Sequence, residues 1–276
     1  MHAAPSFLLV TRPQPQADAW VDQLQRHGVQ ALALPLISTT PPENPSAVHA
    51  LWHTLHTVRL VMFVSPAAVQ HFFDARPPGL SWPAHTLAAA PGPGTASQLL
   101  LLGAPAGLHT AQVLSPAADA EQFDSEHLWP VVSSQVEQGR LVLIVRGTSG
   151  REPPVQGVPG VAGHGRDWLI QQCLAAGAQV QGCVAYARRS PPLSTLDQGL
   201  LAAACGPDSA WLFSSSEALI PLQAQRPAAG WGHTTAIVTH PRIAAAARLA
   251  GFDRIVSTRP ALDDVMRTLE SGWTRP

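Results

Sequence analysis

The sequence predicts an α/β protein made of two doubly wound, parallel-sheet lobes. Three observations carry that prediction. Short apolar strands alternate with amphipathic helices along the chain, the pattern of a parallel sheet covered on both faces. The alternation is written twice, the second half repeating the first unit by unit. The length of 276 residues exceeds one ordinary core and suits two domains.

Phe7, Leu8, Leu9 and Val10 read as a buried strand that delivers Thr11, Arg12 and Pro13 at its C-terminal end. Ala17, Trp20, Val21 and Leu24 recur at i, i+3, i+4 and i+7, so a helix follows and Gly28 stops it. Residues 29–39 then run on extended. The copy of this unit is a strand over 141–145 that delivers Arg146 and Gly147. Its helix carries Ile170, Cys173 and Leu174 ahead of Gly177, and residues 178–189 continue extended. Setting Gly28 on Gly177 brings Trp20 onto Leu169, Val21 onto Ile170 and Ile37 onto Tyr186.

Residues 38–45 are proline-rich and predict a break suited to a connection between lobes. Val48, Leu51, Trp52 and Leu55 mark the next amphipathic helix. A strand over 60–64 ends at Ser65 and leads into a helix through Ala68 and Val69; residues 210–214, ending at Ser215, match it without a gap. A third strand over 85–90 leads into Pro91, Gly92, Pro93, Gly94 and Thr95, and its partner over 233–238 leads into Thr239, His240, Pro241 and Arg242. A simple tandem parse cuts the chain near Gly139. Residues 152–165, rich in proline and glycine, interrupt the second copy and predict a surface loop. In such sheets ligands sit beyond the carboxyl ends of the strands, where loops beginning with Arg12, Ser65, Pro91, Arg146, Ser215 and Thr239 gather.

Composition excludes several chemistries. The formal net charge is -1 and all 17 basic residues are arginine, so there is no lysine for a Schiff base or a phosphate loop. A near-neutral balance without basic runs argues against a nucleic-acid or membrane-surface binder. Cys173, Cys183 and Cys205 lack CxxC spacing, so neither a disulfide framework nor a zinc site is expected. The N-terminal stretch has no positive region and too short an apolar run for a signal peptide, which points to a cytoplasmic protein. Apolar residues make up 46%, so the abundant proline and alanine do not indicate a disordered chain. His49, His53 and His56 have a metal-capable spacing, but Val48, Leu51, Trp52 and Leu55 take the core face of that helix and no acidic partner is interleaved. No nucleophile elbow or dinucleotide fingerprint opens a helix.

What remains is a set of strand-to-helix turns with Ser or Thr beside Gly or Pro. Their amides and positive dipole ends can hold carboxylates or phosphates, or serve as plain helix caps. Arg12 and Arg146 stand at matching strand ends. Tyr186 is the only tyrosine. It is either a sheet-edge aromatic or a proton donor, since a phenol keeps its proton at neutral pH.

Together these motifs resemble the uroporphyrinogen-III synthase family. The resemblance rests on residues 9–13 with the helix to Gly28, on residues 34–36, on 63–69, and on 92–96. It continues through 145–147, 165–169, 186–188 and 213–218, and spans about residues 7–269. It implies two α/β lobes joined by a two-strand linker, with the first strand-helix unit exchanged into the other lobe. The boundaries become 1–37 plus 184–276 for lobe 1, 42–178 for lobe 2, and 38–41 and 179–183 for the linker.

The resemblance implies the cyclisation of hydroxymethylbilane to uroporphyrinogen III, with loss of water, inversion of ring D and no cofactor. Tyr186 would assist the departing hydroxyl. Ser65, Thr95 and Ser215 would hold substrate carboxylates, with Arg12, Arg146 and Arg188 as electrostatic support. Thr239 or Arg242 would replace a glycine-threonine turn of the second half, and Arg151 and Arg166 are rival matches around the insertion. The implied partners are the substrate and a transient hand-off from hydroxymethylbilane synthase, for a monomer without nucleic-acid or membrane contacts. The role of Tyr186 requires its phenol to be reachable from an open pocket. The rival reading is a non-catalytic two-lobe binder of an anionic ligand.

Overall fold

The computed structural model describes residues 7–117, 119–120, 122–149, 167–225 and 231–271. In chain order the first elements are strand β1 (Phe7–Val10), helix α1 (Gln16–Arg26), β2 (Ala31–Ala33), β3 (Ser38–Thr40), α2 (Pro45–Thr54), β4 (Val58–Phe63) and α3 (Pro66–Asp74). There follow β5 (Leu87–Ala89), α4 (Pro93–Gly103), β6 (Val113–Leu114), α5 (Ser125–Val132), β7 (Leu141–Thr148), α6 (Asp167–Ala175) and β8 (Gln179–Arg189). The last are α7 (Thr195–Ala203), β9 (Ser209–Phe213), α8 (Leu219–Gln225), β10 (Thr235–Val238), α9 (Pro241–Leu249), β11 (Arg254–Ser257) and α10 (Leu262–Glu270).

The chain divides into two compact units, one of Met1–Thr39 with Arg189–Pro276 and one of Thr40–Arg188. The first contains a five-stranded sheet in the order β11-β10-β9-β1-β2, every pair parallel. β1 therefore sits beside β9, with Val10 opposite Leu212, and the first strand-helix unit is built into the sheet of the C-terminal part. Alternation along the strands explains the docking. Leu8, Val10, Ala210 and Leu212 face α1 and α10 through Ala17, Val21, Leu24, Val265 and Met266. Leu9, Trp211, Phe213 and Val238 face the opposite core with Leu201, Ile243 and Ala247. Leu8, Leu9 and Val10 are fully buried, and each such side chain contributes about 1.5–3 kcal/mol relative to exposure.

The second unit carries the strands β8-β7-β4-β5-β6 of a six-stranded sheet whose edge strand is β3, parallel from β8 to β6. Val61, Phe63, Leu143 and Val145 pack on one face with Val48, Trp52, Val69 and Phe72 of α2 and α3. Leu60, Met62, Val142 and Ile144 pack on the other with Leu128, Val132, Leu169 and Cys173 of α5 and α6. Both sheets are thus covered on both faces. Gly28 and Gly177, aligned as helix stops, have φ of 81° and 80°, a backbone region that only glycine enters without a steric penalty.

Two segments differ from the sequence reading. The proline-rich stretch 38–45 is not simply a break, because Ser38–Thr40 forms a strand and Pro45 starts α2 at a position where its missing N–H costs nothing. Residues 179–183, read as linker, are paired with β7 from Leu141 opposite Gln179 to Val145 opposite Cys183. That pairing continues to Ala187, so residues 184–188 stay with the Thr40–Arg188 unit rather than with lobe 1. The insertion 152–165, Arg151 and Arg166 lie outside the described residues. Among the described residues no helix is long and apolar enough to cross a membrane.

Candidate functional site

In the Thr40–Arg188 unit, three strand ends bring Ser65, Gly147 and Tyr186 together. Ser65 is the N-cap of α3. Its backbone is extended, Pro66 takes the first helical position, and its Oγ accepts the N–H of Ala68 at 3.2 Å. Tyr186 owes its aim to a slip in the β7–β8 register. Arg146 stands opposite Val184 but Gly147 opposite Tyr186, so Ala185 is the extra residue of a bulge. The phenol ring then lies directly over Gly147. A Cβ on that glycine would be 2.3 Å from the ring Cζ and 2.5 and 2.7 Å from Cε2 and Cε1.

The phenol oxygen is 3.1 Å from Ser65 Oγ. On α3, the imidazole of His71 stacks on the Tyr186 ring with centroids 5.4 Å apart and planes 13° apart. Burial pushes the His71 pKa below its ordinary value, partly opposed by the charge of Asp74. The imidazole is therefore neutral at neutral pH. Tyr186 is only 3% exposed, whereas Ser65 and His71 are half-buried. This corrects the expectation of a phenol open to a pocket: packing against Gly147 and His71 leaves Ser65 as the outward member of the pair.

The other expected residues of this unit have varied surroundings. Arg146 is buried and its Nε donates to the carbonyl of Gly147 at 3.2 Å, bracing the backbone beneath the tyrosine. Arg188 is half-buried on β8. Thr95 is buried in the first turn of α4, whose N-cap, Gly92, offers no side-chain cap. The amides of Gly94 and Thr95 precede the first possible intrahelical bond and remain available to an acceptor. Gly92 also admits Phe123, since a Cβ there would lie 2.8 Å from the phenylalanine Cβ.

In the other unit, the register of β1, β9 and β10 places Arg12, Ser215 and Thr239 just past three adjacent strand ends. Thr11 Oγ1 donates to the carbonyl of Leu212 at 2.8 Å, and Thr239 N–H donates to that of Phe213 at 3.3 Å, which fixes those ends. Arg12 is the electrostatic oddity. Its guanidinium carbon lies 3.9 Å above the Trp20 ring, and Nη2 makes one long bond, 3.5 Å, to the carbonyl of Pro260. Nε is enclosed without a partner, and the side chain forms no ion pair among the described residues. Arg12 as a whole is half-buried, but enclosure of its charged end pushes its pKa down to about 10. It stays a cation at neutral pH.

Ser215 Oγ accepts the N–H of Glu217 at 3.2 Å, so that turn's amide is already engaged. The cap of α9 is His240, whose Nδ1 accepts the N–H of Arg242 at 3.0 Å, and not Thr239. The Arg242 side chain is exposed. His49, His53 and His56 are exposed while Val48, Leu51, Trp52 and Leu55 are buried, and no cluster of potential metal ligands occurs among the described residues. Sequence reasoning missed His71, because the ring it touches stands on β8, far along the chain, and no local pattern connects them.

A model of the family described as uroporphyrinogen-III synthase HemD matches residues 18–267 of this chain. No curated protein sequence matches significantly. Among solved structures, a mutant uroporphyrinogen III synthase from the extremely thermophilic bacterium Thermus thermophilus is similar at 16% identity with a TM-score of 0.55, over 96% of this chain and 97% of that one. The uroporphyrinogen-III synthetase of Helicobacter pylori is similar at 14% identity with a TM-score of 0.51, over 96% and 98% of the two chains. At such identities the structural likeness bears on the fold.

Proposed function

Since this chain belongs to the uroporphyrinogen-III synthase family, a family of cyclising lyases, we propose how its side chains divide the work of that reaction. The enzyme closes hydroxymethylbilane to uroporphyrinogen III with loss of water, in porphyrin and haem biosynthesis. The substrate is a flexible polyanion, and the first step is departure of its terminal hydroxyl. The C–O bond breaks with the electron pair leaving on oxygen, so that oxygen needs a proton donor. An electrophilic azafulvene remains. It is attacked by the substituted carbon of ring D, and the spiro intermediate fragments and recloses with loss of a ring-D proton.

Ser65 is the proposed donor to the departing hydroxyl, and the contact with Tyr186 carries that reading. Among the described residues, the only hydrogen bond of the phenol is the one to Ser65. Were the phenol the acceptor, its own buried O–H would have no partner, at a cost of about 1–3 kcal/mol. In this reading the phenol donates to Ser65 Oγ, which also accepts from Ala68 N–H. A hydroxyl has two acceptor sites and one donor. With both acceptor sites occupied, Ser65 has only its proton left to offer, and two donors into its oxygen make that proton more acidic. Tyr186 thus acts through Ser65.

In this reading each unit offers its own contacts to substrate carboxylates: the uncapped start of α4 at Gly94 and Thr95 in the Thr40–Arg188 unit, and the cation of Arg12 in the other. Arg188, Arg242, Ser215 and Thr239 add polar contacts, and Arg146 braces Gly147. Charge-assisted bonds of this kind contribute about 1.5–3 kcal/mol each, so a few can fold the chain into a reactive shape. A monomeric, cytoplasmic enzyme fed by transient hand-off from hydroxymethylbilane synthase accompanies this proposal, because the free substrate closes spontaneously to isomer I.

The test is a kinetic cycle with freshly generated hydroxymethylbilane, resolving isomers III and I after oxidation. Ser65→Ala and Tyr186→Phe should each slow formation of isomer III. The double variant should be no slower than Ser65→Ala alone. Losses that simply multiply, or a native rate in Tyr186→Phe, would sink the relay.

A further inference from the structure

We infer that His71 is a positioning residue of this reaction, fixing the plane of the Tyr186 ring so that the phenol proton points at Ser65. The inference rests on the Ser65–Tyr186 relay described above. One element carries both ends of the arrangement: Ser65 caps α3 and His71 lies within it. A helix is rigid on this scale, so the acceptor of the phenol proton and the ring that holds the phenol move as one body. The 13° interplanar angle and 5.4 Å separation are those of an offset stack.

His71 is half-buried and stands beside the apolar face of α3. The buried side chains of the same helix are Ala68, Val69, Phe72 and Phe73. No hydrogen bond engages the His71 ring nitrogens among the described residues, so stacking is its specific contact. Gly147 supplies the complementary restraint, its missing Cβ giving the ring room to lie flat on the β7 backbone. The phenol oxygen is then confined by the glycine, the imidazole and the bond to Ser65. A partly desolvated imidazole favours its neutral form, which stacks without carrying a charge into the apolar surroundings.

Three variants separate this role from a bulk packing role and from direct proton transfer. His71→Leu keeps the volume without a flat ring, His71→Phe keeps the ring without its nitrogens, and His71→Ala removes both. With freshly generated hydroxymethylbilane, His71→Leu and His71→Ala should lose about 3- to 10-fold in kcat, the worth of one aromatic pair, with KM unchanged. His71→Phe should recover most of that loss. The inference is overturned by a native kcat in His71→Leu, by His71→Phe as slow as His71→Leu, or by a loss confined to KM. If His71→Ala does not fold, the leucine and phenylalanine pair decides. Ser65→Ala and Tyr186→Phe report separately on the relay: with both slow and His71→Leu native, only the positioning role falls.

Discussion

Replacing Gly147 by alanine should damage the enzyme more than removing the tyrosine hydroxyl does. The added methyl would lie 2.3 Å from Tyr186 Cζ, well inside the roughly 3.5 Å of ordinary carbon contact. The ring cannot rise freely, because His71 stacks on it and β8 holds its backbone. A retreat of that size breaks the 3.1 Å bond to Ser65. Overpacking costs about 1–3 kcal/mol and the lost bond about 0.5–1.5, so Gly147→Ala should lose about 1.5–4.5 kcal/mol. Tyr186→Phe loses only the bond. Urea unfolding, with midpoint and slope compared for both variants, measures the difference. The combined Gly147→Ala/Tyr186→Ala variant removes the clashing ring and should be less unstable than the two single losses added together. A Gly147→Ala protein with native midpoint and native isomer ratio would refute the account of how the tyrosine is seated.

Arg12→Met should raise KM at least about tenfold while stability stays level or increases, because an enclosed cation without a carboxylate partner costs folding energy that a methionine of similar length does not. Isothermal melts and initial rates check this, and a fall in stability with unchanged KM would contradict it. Burial pushes the thiols of Cys173 and Cys183 up to about 12, so neither should react with a disulfide reagent at pH 8 in the folded protein, while half-buried Cys205 reacts first. Because their folded pKa values lie above the ordinary 9.0, the unfolded chain loses those protons earlier. Stability should therefore fall as the pH rises from about 9 to 10, before loss of the Arg12 proton opposes the trend. Alkaline urea titrations of wild type and Cys173→Ala measure that slope, and a flat slope in the wild type would remove the assignment.

The fold is legible because apolar residues in a doubly covered parallel sheet are continuous. Residues 60–64 and 210–214 announce β4 and β9 without help from context. Docking of β1 beside β9 is not readable from local pattern, since nothing within Phe7–Val10 says which strand it joins. It comes from the resemblance. At the site, the cap role of Ser65 follows from Ser-Pro ahead of an apolar helix, and it holds. The cap of α9 is His240, one residue closer to the helix than Thr239, and its ring nitrogen serves as well as a hydroxyl. The burial of Tyr186 escapes a sequence reading for a different reason. A bulge at Ala185 decides which way the side chain points, and a one-residue slip leaves no trace in composition or period.

Two features of the chain work against stability, and they are the two that the proposed mechanism needs. A glycine at position 147 weakens the end of a strand that is apolar from Leu141 to Val145, and a guanidinium at position 12 is enclosed without a counter-charge among the described residues. Alanine and methionine would pack more favourably in each backbone setting were the tyrosine and the anion absent. The first sacrifice gives a phenol that is left to bond with Ser65. The second keeps a positive charge from being neutralised by the protein's own carboxylates. A reaction whose electrophile forms when a weakly basic hydroxyl leaves a polyanion requires both: a donor sharpened by its neighbours, and a cation held in reserve for the ligand. Arg12→Met should therefore weaken substrate binding while stability stays level or rises, an inverse relation that a purely structural reading of Arg12 does not produce.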